Sequence, residues 1–351
     1  MIRLALRELQ YHWKRTLIAV AAVGVLLGIS LTLAGVNAAW NAGSDKTLAT
    51  IGGDFYVVPA GSSGPFDGPA TFPAITARQV ARLAGVQAAE PILTLHDTIS
   101  RSDGRVLDAN VVGYTPDGIT RPEPTSGTLP SAPTQVLVDS TTGLSPGATV
   151  TLGGVRLTVS GVVSGVTYFA GQSVVLMNLG ELQRAVFDGR DLASAVVVKG
   201  DPARALPGTA LLDMSQIRQD INRPVGKATA TVAAIGALLL VSALGVISMI
   251  AYISAVERAV EMSVIKALGG STWALAGQLV LSSVVVTAAA SVLAAVLAVA
   301  LGPVFPMPVE VPAVDYLAMP ALALALGVLA GLLVVRQAAR VDPAEAFGAG
   351  R

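Results

Sequence analysis

No cysteine occurs among the 351 residues, which removes disulfides, thiolate metal sites and thiol nucleophiles together. Charge is scarce as well: 13% of residues are charged, against roughly 25% in ordinary soluble chains. The 23 Lys+Arg balance 23 Asp+Glu, so no net field draws the chain to a polyanion and nucleic acid is not an expected partner. Only two histidines are present, His12 and His96. A phosphate-cradling P-loop needs an upstream Gly before Gly-Lys-Ser/Thr, but the Gly226-Lys227 pair lacks that Gly and is followed by Ala228. No His-Glu-x-x-His pair occurs. The expectation is a chain with no catalytic residues, no metal site and no cofactor of its own.

What the sequence has instead is hydrophobicity, at 53% of residues and a mean hydropathy of +0.66. A hydrocarbon core about 30 Å thick needs roughly 20 apolar residues at 1.5 Å rise each. Four runs meet that length, predicting spans at 17–39, 228–256, 273–301 and 316–335. The third ends near Leu301 because Gly302-Pro303 and the prolines at 306, 308 and 312 break any helix in the loop 302–315. The first run is too long for the apolar core of a cleaved signal peptide.

Lys and Arg concentrate on cytoplasmic flanks. Arg3, Arg7, Lys14 and Arg15 precede the first run, Arg258 and Lys266 follow the second, and Arg336, Arg340 and Arg351 follow the fourth. Both termini and the segment 257–272 are therefore expected in the cytoplasm, with 40–227 outside a bacterial cytoplasmic membrane. Arg223 and Lys227 sit against this trend, but long translocated domains largely escape the charge rule. In 1–16, Ile2, Leu6, Leu9 and Trp13 recur at helical spacing with Arg3, Arg7 and Lys14 off that stripe, predicting an amphipathic elbow helix at the lipid interface.

Between Trp40 and Lys227 short apolar runs alternate with turn residues, predicting an α+β domain. Strands are expected at 54–58, 109–114, 135–139, 148–152, 155–159 and 194–198, with a two-residue hairpin at Gly153-Gly154. Helices are expected at Thr76–Ala84, with Thr76 as N-cap, and at Leu179–Phe187. The stretches Gly61 to Pro65 and Arg121 to Pro124 read as exposed loops. His96 reads as an ordinary polar position; haem ligation by it with a Met or Tyr has no spacing behind it. Asp97, Asp103 and Asp108 read as solvated turn residues. Within the spans, Gly24-x-x-x-Gly28 and Gly327-x-x-x-Gly331 place small residues on one helix face, for packing inside a protomer or against a second copy.

The most informative stretch is Glu257-Arg258-Ala259-Val260-Glu261-Met262-Ser263-Val264-Ile265-Lys266-Ala267-Leu268-Gly269-Gly270. A charged first half, an apolar face at Met262, Ile265 and Leu268 and a Gly-Gly stop describe a short amphipathic helix suited to docking a soluble partner. Glu257-Arg258, Glu261 and Ile265 to Gly269 resemble the loop between the second and third spans in permeases of the FtsX, LolC and MacB type of ABC transporter. The terminal Arg340-Val341-Asp342-Pro343-Ala344 is similar to that family's C-terminal signature. The smaller DevC-like and HrtB-like branch, whose members serve glycolipid or haem export, is also similar.

The resemblance implies four spans with one outer domain after the first, and a coupling helix that inserts into a separate ATPase. It further implies a homodimer served by two ATPase copies, which bind the ATP and Mg, and it leaves room for an envelope adaptor or extracytoplasmic partner. Export or extraction of an amphipathic substrate by a mechanical relay is the implied function. The alternatives are transenvelope signalling to an outer hydrolase and, from another class, a membrane-anchored extracytoplasmic enzyme.

Overall fold

The structure is a computed structural model that describes residues 13–68, 70–168, 171–257, 272–304, 309 and 311–338. It divides into two compact units, one of residues 1–39 with 229–351 and one of residues 40–228.

In the first unit, α1 (Trp13–Ile51), α5 (Gly226–Glu257) and α6 (Thr272–Leu301) are long and apolar enough to cross a membrane. A further helix, α7 (Asp315–Ala338), is 24 residues long and carries Pro320 within its second turn. The four share a core built from Val23 and Leu27 of α1, Ala243 and Ile247 of α5, Ala290 and Ala294 of α6, and Ala323 of α7. Alanine at so many contact points fits association without a hydrophobic driving force, where close backbone approach supplies the packing energy.

The first helix does not stop at residue 39, nor does a break precede residue 17. Trp13, Lys14 and Arg15 stand on the same helix as the first span, and the helix runs on through twelve residues of the second unit to Ile51. No proline interrupts 40–51, Gly43 is carried within the helix, and Trp40, Leu48 and Ile51 are buried while Asn41, Asp45 and Lys46 are exposed, an amphipathic continuation. It ends at Gly52-Gly53, both at positive φ, with the Gly52 amide donating to the Leu48 carbonyl at 2.8 Å.

The second unit is built on an eleven-stranded mixed sheet. Its principal strands are β1 (Phe55–Pro59), β3 (Val86–Arg101), β4 (Val106–Tyr114), β6 (Gln135–Asp139), β7 (Thr149–Leu152), β8 (Val155–Val163), β10 (Gln172–Asn178), β12 (Ala195–Gly200) and β13 (Thr209–Asp213). The short pairs β2 (Phe72–Pro73), β5 (Ser126–Gly127), β9 (Thr167–Tyr168) and β11 (Leu192–Ala193) complete it, β2 and β11 forming a separate ribbon.

The path β13-β1-β12-β3-β4-β10-β6-β8 would be an open sheet, but β7 pairs with both β8 and β3. Strands β3, β4, β10, β6, β8 and β7 therefore close into a six-stranded ring, which removes the unpaired edges of those strands. Inside lie Leu93, Ile99, Val111, Val136, Val138, Leu152, Leu157, Val175 and Met177. The alternate residues Val112, Leu137, Val174 and Leu176 point outward into a second core with Tyr56, Val58, Val197, and Ile217 and Ile221 of α4 (Met214–Asn222). Because both faces are buried, these strands read as continuous apolar runs, not as alternation.

The hairpin at Gly153-Gly154 is present, with φ of 55° and 82° and Leu152 paired to Val155, the double left-handed geometry that two glycines permit. Three sequence expectations change. Thr76 is not the N-cap of α2 (Thr76–Val80); Ile75 holds that place in helical geometry, without a side-chain cap bond. Strand β3 has no counterpart in the sequence reading, because Pro91 demotes the run. Pro91 sits where β3 passes from pairing with β12, which ends at Ile92, to pairing with β4, which begins at Leu93. Finally, Gly64 and Pro65 are buried, because Asp220 of α4 accepts from the Phe66 amide at 2.8 Å and the Pro65 carbonyl accepts from the Thr94 hydroxyl.

Candidate functional site

The sequence points to the segment beginning at Glu257. Of its residues the structure describes Glu257, the last residue of α5; Arg258, Glu261, Met262, Ile265, Lys266, Leu268 and Gly269 lie outside the described residues, as do Arg340, Asp342, Pro343, Ala344, Arg3, Arg7 and His12.

Around Glu257 the geometry is specific. Ile250, Ser254 and Glu257 recur at four- and three-residue spacing, so one face of α5 presents a carbonyl, a hydroxyl and a carboxylate in a row. Arg15 of α1 meets all three: Nη1 donates to Glu257 Oε2 at 2.5 Å, and Nη2 donates to the Ile250 carbonyl at 3.0 Å and to Ser254 Oγ at 3.1 Å. Ser254 Oγ itself donates to the Ile250 carbonyl at 2.9 Å, so its lone pair is the part turned to the guanidinium. The side chains of Arg15 and Glu257 are 31% and 56% exposed, an interfacial pair and not a buried one. Beside it, Lys14 lies over the Trp13 ring, 5.8 Å from the centroid. The sequence reading includes Arg15 as a basic flank and part of the interfacial elbow and omits Ser254; Ser254 three residues ahead of Glu257, on one helix face in an otherwise apolar stretch, is the signal that could have marked it.

The small-residue positions lie at helix contacts. A Cβ on Gly24 would meet Leu293 Cδ2 at 2.7 Å, and one on Gly28 would meet Leu297 Cβ at 3.1 Å and Ala294 Cα at 3.4 Å, so both glycines face α6 of the same chain. Gly327 lies against Thr287, whose Oγ1 would be 2.7 Å from a Cβ there. Gly331 falls on α7, one turn further along. The buried polar side chains among the described residues of the spans are hydroxyls. Three of them bond carbonyls of their own helix: Thr32 to Gly28 at 2.9 Å, Thr287 to Ser283 at 2.7 Å and Ser291 to Thr287 at 2.8 Å. They are satisfied locally, and among the described residues no charged side chain is buried in these helices.

In the outer unit, His96 is exposed on β3, its Nδ1 3.2 Å from Asn110 Oδ1, and Asn110 donates to Gln172 Oε1 at 3.1 Å. This polar row crosses β3, β4 and β10 and has the makings of a sheet bridge; among the described residues no three His, Cys, Asp or Glu side chains gather to hold a metal. Asp103 accepts from the Arg105 amide in the turn between β3 and β4, whereas Asp97 and Asp108, expected in turns, lie on β3 and β4, where Asp97 accepts from the Thr98 amide. Asp220 is 1% exposed, and burial pushes its carboxyl above the usual range, opposed by donation from the Phe66 amide.

Comparison with known proteins adds a lineage to this geometry. Residues 232–343 match the FtsX-like permease C-terminal family, and residues 18–210 match the MacB-like periplasmic core domain. The ABC transporter permeases Rv2563 and Rv0072 of Mycobacterium tuberculosis strain H37Rv are each 32% identical over 348 residues, spanning 99% of this chain and 99% of theirs. The solved periplasmic region of MacB from Actinobacillus actinomycetemcomitans aligns over 50% of this chain and 98% of its own, at 14% identity and a TM-score of 0.35. With family matches covering both units and relatives that run its full length, the chain belongs to the FtsX-like and MacB-like permeases of ABC transporters.

Proposed function

We propose that this permease is the membrane subunit of a mechanical relay, in which a separate ATPase drives export or extraction of an amphipathic, membrane-derived substrate. The observation that carries the reading is the single unbroken helix α1. Val23 and Leu27 belong to the core of the membrane unit, while Leu48 and Ile51, on the same helix, belong to the core of the outer unit. α1 is thus the covalent route by which a displacement of the membrane helices reaches the outer unit.

In this reading two copies of the chain pair in the bacterial cytoplasmic membrane, with four spans each, the fourth being α7. Two ATPase subunits bind ATP and Mg and grip the segment from Glu257 to Gly269; the Arg340 to Ala344 signature lies on the same cytoplasmic side. Closure of the ATPases pulls on α5, and the motion reaches the outer domains, with or without an envelope adaptor. Thr32, Thr287 and Ser291 spend their hydroxyls on their own helices and Ser30 bonds the Gly236 carbonyl of α5, and no buried charge marks a hydrophilic path among the described residues, which favours a lipid-like cargo over a solute in a channel. The match of residues 18–210 to the MacB-like core favours transport over FtsX-like signalling.

The test is co-expression with ABC ATPase subunits from the same genome, followed by reconstitution in nanodiscs. Co-purification of an ATPase whose hydrolysis rate the permease changes is the expected result. A permease that neither retains an ATPase nor alters its rate would overturn the proposal, and an extracytoplasmic hydrolase retained in place of lipid would turn it to signalling.

A further inference from the structure

We propose that Arg15 is a positioning residue for the coupling step, fastening the foot of α1 to the point on α5 from which the coupling segment departs. This deepens the functional reading above and rests on it for its consequence, though not for its geometry. Flanking cations at a membrane boundary usually set topology by charge count alone, and a point charge facing headgroups is enough for that. Arg15 does something a charge count does not require. Its two Nη groups divide among three acceptors on one face of α5, a spread that a planar fork spans with two nitrogens while the three N–H of an ammonium radiate from one.

The arrangement is also built from the acceptor side. Ser254 donates to the Ile250 carbonyl, which fixes its rotamer and orients its oxygen as an acceptor. Glu257 then completes the set three residues on, at the last described position of α5. An exposed ion pair held by one contact contributes little, but here the same guanidinium is held by two further hydrogen bonds from partly buried groups.

The consequence is directional. If the segment following Glu257 is pushed by an ATPase, α5 does not move alone: the load passes through Arg15 into α1, the helix whose far residues Leu48 and Ile51 are part of the outer core. Without the clamp, α5 could slide or rotate against α1 and the stroke would dissipate.

The experiment uses the full chain in nanodiscs with its ATPase, comparing Arg15→Ala, Arg15→Lys, Glu257→Ala and the double alanine variant. The permease-dependent change in ATP hydrolysis should fall about fivefold in each single alanine variant, the scale of losing a charge-assisted hydrogen bond at a partly exposed site. The double variant should be no worse than either single, and Arg15→Lys should stay below wild type because it loses the fork. Full coupling in Arg15→Ala, or a double variant whose loss is the product of the two singles, overturns the proposal. Since the chain has no native cysteine, spin labels at Lys14→Cys and Val256→Cys report the clamp without the ATPase. A narrow distance distribution that broadens with Glu257→Ala supports it, and one that Glu257→Ala leaves unchanged overturns it. A wild-type permease that leaves ATP hydrolysis unaltered while the labels behave as stated would remove the transport reading and leave the clamp standing.

Discussion

Truncating Leu152 to alanine tests whether the outer domain's ring is closed. Leu152 lies on β7, the four-residue strand that joins β8 to β3, and its side chain is fully buried inside the ring with Leu157, Val175 and Met177. The change removes three carbons, about 2.4 kcal/mol of transfer free energy at ~0.8 kcal/mol per methylene. A closed ring resists collapse into the space left behind, so a cavity term of up to about 2 kcal/mol adds to this, giving roughly 4 kcal/mol in all. For a unit of residues 40–228, 1 kcal/mol corresponds to about 2–4 °C, so the melting temperature should drop by about 8–16 °C. The assay is a scanning melt of the full chain in detergent at one fixed scan rate. Val106→Ala, 59% exposed on β4, is the control and should move by no more than about 2 °C. If Leu152→Ala melts within 4 °C of that control, β7 does not close a packed ring and the reasoning fails.

Three further outcomes are expected. Gly28→Leu should destabilise the membrane unit by about 1–3 kcal/mol, because a Cβ there already meets Leu297 and Ala294, whereas Gly245→Leu, with open space around it, should cost under about 0.5 kcal/mol; equal melting temperatures would refute the α1–α6 contact. Asp220 holds its proton more tightly folded than unfolded, so the stability it contributes is full below the ordinary carboxylate range near about pH 4 and is lost as pH rises through its higher folded value. Asp220→Asn, neutral throughout, should therefore gain melting temperature relative to wild type from pH 4 to pH 8, and parallel curves would contradict the assignment. Glu90 accepts from the Ile119 and Thr120 amides at 2.9 and 3.2 Å and from the Thr120 hydroxyl, so Glu90→Ala should cost about 2–3 kcal/mol and expose the 115–121 turn to proteolysis.

The three long apolar helices were legible because length and apolarity are local properties, and the Gly153-Gly154 turn because two adjacent glycines admit few other geometries. Strand β3 was not legible: Pro91 argues against a strand locally, and only the change of partner from β12 to β4 makes a missing amide harmless there. The extension of α1 to Ile51 was hidden by the convention that a span ends with its apolar run, although the buried positions Trp40, Leu48 and Ile51 keep helical spacing. The ring itself depends on β7 pairing with Ser100 and Arg101, some fifty residues away in sequence, which no periodicity encodes. At the site, the segment expected to dock a partner lies outside the described residues after Glu257, and Arg15 was readable as a cation. Its bond to Glu257 spans 242 residues and is a product of helix packing alone.

The central claim is that the segment after α5 transmits force from an ATPase. The measurement that reaches it most directly is ATP hydrolysis and substrate movement by the reconstituted complex carrying Glu261→Ala together with Leu268→Ala, which remove a charge and an apolar contact from that segment. The account predicts that the ATPase still binds nucleotide but that hydrolysis no longer responds to the permease and movement stops. Hydrolysis and movement at wild-type rates in that variant would contradict it.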